Sequence, residues 1–191
     1  MTQASNRWLL FSYSVPKHPS TVRVALWRRL RDIGVLYIAQ SACLLPDSAQ
    51  GKNALEECLR TASEAGGIAR LVPVEVSEEA VNQALIADFQ ALRAAEYREL
   101  LERAEAMIGE LSKESEGGKF TFAELEENED ELEKLEKWLK RISARDVHGA
   151  SNEAAAGIAL QRCRDALALF RDETVDRETD FGSGSIHQAS R

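Results

Sequence analysis

Residues 7–46 read RWLLFSYSVPKHPSTVRVALWRRLRDIGVLYIAQSACLLP, and the fold is decided in this stretch. From Trp8 to Val15 the chain is a nearly unbroken apolar and hydroxyl run rich in β-formers. Pro16, which cannot donate to a ladder, ends it. Ser20 is a good N-cap, and Val22, Leu26, Leu30 and Ile33 then recur at helical spacing before Gly34 supplies a stop. Val35 to Ile38 and Cys43 to Leu45 are short apolar pieces around Ala39-Gln40-Ser41-Ala42, which suits a hairpin. The order is strand, helix, strand, strand.

Downstream, Asp47 and Ser48 offer caps, and Leu55, Cys58, Leu59 and Ala62 define a second helix face that Gly66-Gly67 ends. Ile68 to Val76, IARLVPVEV, reads as a last strand, and Pro73 inside it predicts an edge or a bulge. Residues 7–76 therefore spell β-α-β-β-α-β, the ferredoxin-like order. A four-stranded antiparallel sheet with both helices on one face is expected. The other face is left for a dimer partner or for the chain's own C-terminal helices.

Beyond Ser77 the periodicity is helical throughout. Val81, Leu85, Phe89, Leu92, Leu100, Met107 and Leu111 form one long stripe, and Ser115 to Lys119 reads as a loop. Thr121-Phe122-Ala123-Glu124 fits a capping box, opening a helix striped by Leu125, Leu132, Leu135, Leu139 and Ile142. Gly149 closes it. Leu160, Cys163, Leu167 and Phe170 mark the last helix, expected to fold back on its predecessor as an antiparallel hairpin. Residues 77–175 are thus read as a helical extension, and residues 176–191, where periodicity fades, as a disordered tail. The fold class is α+β.

Charge is divided along the chain. Residues 1–76 hold nine Lys/Arg against six Asp/Glu, while residues 77–191 hold fifteen against twenty-six, giving −8 overall. An anionic partner would meet the first part and be repelled by much of the second. No run approaches the roughly 18 apolar residues of a membrane span, and the N-terminus MTQASNR lacks a signal pattern, so a soluble, cytoplasmic protein is expected. Cys43, Cys58 and Cys163 stand in apolar settings with no metal-ligand spacing and read as buried small hydrophobes. The three histidines form no cluster, and there is no Ser-His-Asp, Cys-His or Gly-rich phosphate motif. No metal, no cofactor and no enzymatic activity are expected.

The helix of residues 21–33 carries the chemistry that remains. Steps of 100° gather Val22, Leu26, Leu30 and Ile33 in one sector and leave Trp27, Arg28 and Arg31 mostly opposite, with Arg23 at the border. Arginine forks match phosphate oxygens, so this face is a candidate DNA-binding surface, with Arg7 and Lys17 adding to its field. The competing reading packs Trp27 on the C-terminal helices and leaves the arginines solvated or paired with carboxylates.

The pattern WLLFSYSVP, then Arg23, Trp27, Arg28 and Leu30, then GVL and CLLP, resembles the N-terminal domain of the chromate-resistance regulator family ChrB. A second match lies at Ala144-Arg145-Asp146-Val147-His148-Gly149-Ala150, with Val147 and His148 where the family commonly has aromatic residues. The resemblance implies a transcriptional regulator of chromate-resistance genes that binds operator DNA as a homodimer. It also implies that the family's C-terminal domain, credited with sensing chromate, would begin where this sequence ends. The alternative is an interaction or assembly module that works with a separate sensing domain and never touches DNA. More distantly, residues 7–76 resemble the CRISPR-nuclease-like fold found in PaaX-type repressors. In the nucleases an Asp follows the tyrosine that ends the first strand. Here Ser14 follows Tyr13, which argues against metal-dependent hydrolysis.

Overall fold

The computed structural model describes residues 6–18, 20–150 and 152–184, with residues 178–184 described through their backbone. The elements are β1 (Arg7–Ser14), α1 (Ser20–Ile33), β2 (Leu36–Ala39), β3 (Ala42–Pro46), α2 (Ala49–Glu64), β4 (Ile68–Glu75), α3 (Glu79–Glu116), α4 (Phe122–Arg145) and α5 (Glu153–Gly184). They fall into two compact units, Met1–Leu92 and Arg93–Arg191.

In the first unit the strands form one sheet in the order β2-β3-β1-β4, every pair antiparallel. This is the α+β, ferredoxin-like arrangement expected from the sequence. The helix stops behave as the sequence implies: Gly34 and Gly66 take φ of 82° and 73°, a left-handed region open to glycine at little cost. Pro73 lies in β4, at the sheet's edge, where a missing N–H breaks no ladder.

Strand alternation sends Leu9, Phe11 and Tyr13 to one face of the sheet and Trp8, Leu10 and Ser12 to the other. The first face receives α1 and α2, which bury Leu26, Leu30, Leu55, Cys58 and Ala62 in the same core as Leu9 and Phe11. The Trp8 end of the second face is covered by the first turns of α3, while Val72, opposite Leu10, and Ile68, opposite Ser14, stay exposed on it. Trp8 Nε1 donates to Asn82 Oδ1 at 2.9 Å, and the indole meets Phe89 edge-on at 6.3 Å between centroids. One of the two expected occupants, the chain's own helix, covers this end of the face. For that reason the first unit ends at Leu92, inside α3, and not at the strand end near residue 76.

In the second unit the remainder of α3, α4 and α5 bury Tyr97, Leu100, Leu135, Ile142, Leu160, Cys163 and Phe170 together. The helices run antiparallel, as cross-helix pairs show. Arg164 reaches Glu136 at 2.6 Å and Arg171 reaches Glu129 at 2.6 Å, so α5 ascends as α4 descends. Exposed pairs of this kind each contribute little, roughly 0–1 kcal/mol, and the apolar seam holds the hairpin. The α5 helix continues to Gly184, past Val175, where sequence periodicity fades. Thr174 Oγ1 donates to the Phe170 carbonyl at 2.8 Å and Arg177 pairs with Glu173 one turn back, so polar residues here extend the helix. Residues 185–191 of the expected tail lie outside the described residues.

All three cysteines are buried. Burial pushes the Cys43 thiol up to about 12 and the Cys58 thiol to about 11, the latter opposed in part by Arg29, and it raises Cys163 as well. At neutral pH all three are neutral thiols, and the thiolate is the reactive form. Native protein should therefore resist iodoacetamide at neutral pH and take up three labels once denatured. Rapid native labelling, read by mass, would contradict this packing.

Candidate nucleic-acid interface

Helix α1 buries Leu26 and Leu30 against the sheet and half-buries Val22 and Ile33, the sector expected from spacing. Everything opposite is therefore solvent-facing. Arg23, Trp27 and Arg31 recur at four-residue intervals and share one exposed stripe, with Arg28 exposed beside it. The structure brings these four together. Arg31 holds its guanidinium 5.0 Å from the centre of the Trp27 ring, a cation–π distance. Arg23 Nη2 donates to the Pro16 carbonyl at 3.4 Å, which places it beside the bend carrying exposed Lys17. Arg7 differs. It sits at the opposite end of β1 from Ser14 and pairs with Asp47 at 3.1 Å, so its charge is largely offset. Arg29, outside the expected set, is paired with Glu57 of α2.

Trp27 is 46% exposed. It lines a groove of about 450 Å³ with Tyr13 of β1, Tyr37 and Ile38 of β2, and the Ala39–Gln40 turn. The sheet register explains the gathering: Phe11 is opposite Cys43, and Cys43 is opposite Tyr37, so Tyr13 and Tyr37 emerge on the face where α1 lies. Burial is the main cause that pushes the Tyr37 phenol up, and Tyr13 beside it adds to the effect, so it stays neutral at physiological pH. Tyr13, Tyr37 and Gln40 were absent from the sequence-derived set. Alternation along β1 and β2 was the available signal.

The second motif, Ala144 to Ala150, serves a different purpose. Arg145 pairs with Glu96 at 2.6 Å, and Glu96 also pairs with buried Arg93 at 3.2 Å. Asp146 accepts from the Tyr97 hydroxyl at 3.3 Å and from the Ala150 N–H at 2.8 Å. The motif thus clasps α3 to the α4–α5 turn. Among the described residues no group of three or more His, Cys, Asp or Glu could hold a metal ion, and no helix is long and apolar enough to cross a membrane.

A family model described as protein ChrB, N-terminal, matches residues 23–180. The match takes in Arg23, Trp27, Arg28, Arg31 and the clasp, and begins after Arg7 and Lys17. No curated protein and no solved structure matches the chain.

Proposed function

The chain belongs to the ChrB N-terminal family, associated with chromate resistance, and from that premise we propose that it regulates chromate-resistance genes by binding duplex DNA as a homodimer through α1. The observation that carries this reading is the exposed arginine stripe. The helix holds four arginines against one carboxylate, Asp32, in a chain whose net charge is −8. Arg29 is engaged with Glu57, and Arg23, Arg28 and Arg31 stand at the surface with an exposed indole between them. Guanidinium forks at the surface suit phosphate oxygens, and the sequence-independent part of DNA affinity comes from such contacts.

A dimer is supported by the edge of the sheet. Strand β4 lies at the edge of the sheet, and its Ile68 and Val72 stand exposed on the face that carries Leu10, an apolar surface that a second copy would cover. Two-fold pairing would present two α1 helices to two half-sites of a palindromic operator. On this reading the protein is a regulator and has no catalytic role.

The test is binding to a duplex taken from upstream of its own gene. With three phosphate contacts from each of two protomers, affinity should fall about a thousandfold between about 50 and 200 mM salt. Light scattering at micromolar concentration should return the mass of two chains. Salt-insensitive binding, or none, from a monomer would favour the interaction-module alternative.

A further inference from the structure

The groove beside α1 presents a different chemistry from the arginine stripe. Trp27, Tyr37 and Ile38 all expose substantial apolar surface there, against the hydrophobic effect, and among the described residues no carboxylate lines it. The side-chain amide of Gln40 offers a donor and an acceptor together, the pairing a base edge presents. Arg31, 5.0 Å from the Trp27 ring centre, is within reach of a phosphate adjoining any planar group held at that ring. Aromatic faces framed by guanidinium groups suit an occupant that is flat, uncharged at its ring and anionic beside it. In an intact duplex every base face is already stacked, so the duplex itself offers no such group.

Building on the DNA reading above, we propose that this groove takes one unstacked base of DNA, stacked on Trp27 and Tyr37, with the neighbouring phosphate on Arg31. The protein then favours locally opened DNA over intact duplex. Arginines of α1 supply general affinity, and the groove supplies the preference for the opened strand. One stacked base is worth about five- to hundredfold in affinity.

The experiment compares one sequence as intact duplex and as the same duplex with a short central mismatch bubble. Full-length protein is titrated against both, and the bubble-to-duplex affinity ratio is read. Wild type should prefer the bubble by about five- to hundredfold. Tyr37→Leu should bring the ratio to about one, and Tyr37→Phe, which keeps the ring, should retain the preference. Trp27→Leu, a second variant at an exposed position, should also collapse the ratio, with far-UV circular dichroism confirming the fold of each. A wild-type ratio near one with duplex still bound overturns the groove proposal alone. An unchanged ratio in both leucine variants overturns it too. Binding of neither DNA overturns the groove and the DNA reading together.

Discussion

Replacing Trp8 by Ala should unfold the first unit under conditions where the native chain is stable. The indole is fully buried between the sheet and α3, and truncating a buried tryptophan costs about 3–5 kcal/mol in lost transfer free energy and cavity. The change also strands Asn82, a buried amide whose partner is the indole N–H, adding about 1–3 kcal/mol. Domains have only about 5–15 kcal/mol in hand, so the native population would be small. Trp8→Phe separates the contributions: it keeps much of the ring volume and loses the Asn82 bond, and should fall well short of the alanine effect. Urea unfolding followed by circular dichroism gives both values. A loss below about 1 kcal/mol for Trp8→Ala would mean that α3 does not pack on Trp8.

The second large effect belongs to the clasp. Arg93 is only 2% exposed, and burial pulls its pKa down while Glu96 pushes it back. Glu96 serves two guanidinium groups at once, Arg93 at 3.2 Å and Arg145 at 2.6 Å. Glu96→Ala removes the carboxylate that most favours the charge of buried Arg93, and removing one partner of a buried pair costs about 3–5 kcal/mol. Glu96 is itself partly solvated, so about 3 kcal/mol is expected, a fall in Tm on the order of 6–12 °C for a chain of this size. Arg93→Met together with Glu96→Leu should recover the part that comes from Arg93 and not the part that comes from Arg145, which still loses its carboxylate. A single-variant loss near zero, or a double variant no better than the single, would contradict the clasp.

How much of this was readable in the sequence depends on which forces decide each feature. The sheet order and the buried sector of α1 were legible because period, caps and glycine stops act locally: Leu26 and Leu30 are buried, and Gly34 takes a left-handed φ. The exposed arginines followed from the same sector. The start of α3 was not legible. Val81, Leu85, Phe89 and Leu92 read as one seam, yet Val81 and Leu92 are exposed while Asn82, Ile86 and Phe89 are buried. The helix packs first on a sheet and then on helices, and a stripe does not say which partner it meets. The groove was hidden for a related reason: Tyr13 and Tyr37 lie on separate strands, and the β1–β3–β2 register brings them to Trp27. Nothing in the sequence singles out Arg93 and Glu96, because only tertiary packing buries Arg93 and brings Arg145 to Glu96.

Whether the exposed face of α1 meets DNA phosphates is decided by the salt dependence of binding in the Arg28→Ala, Arg31→Ala double variant. Both residues are exposed and lie opposite the buried sector, so stability should shift by less than about 0.5 kcal/mol. Binding to the upstream duplex and to unrelated duplexes should weaken alike, because phosphates carry no sequence information. The log–log salt slope should lose about 0.9 in magnitude for each contact removed, about 1.8 per protomer. A reduced slope with an intact fold is the predicted result. Identical slopes for the wild type and the intact double variant would mean that DNA does not meet this face of α1.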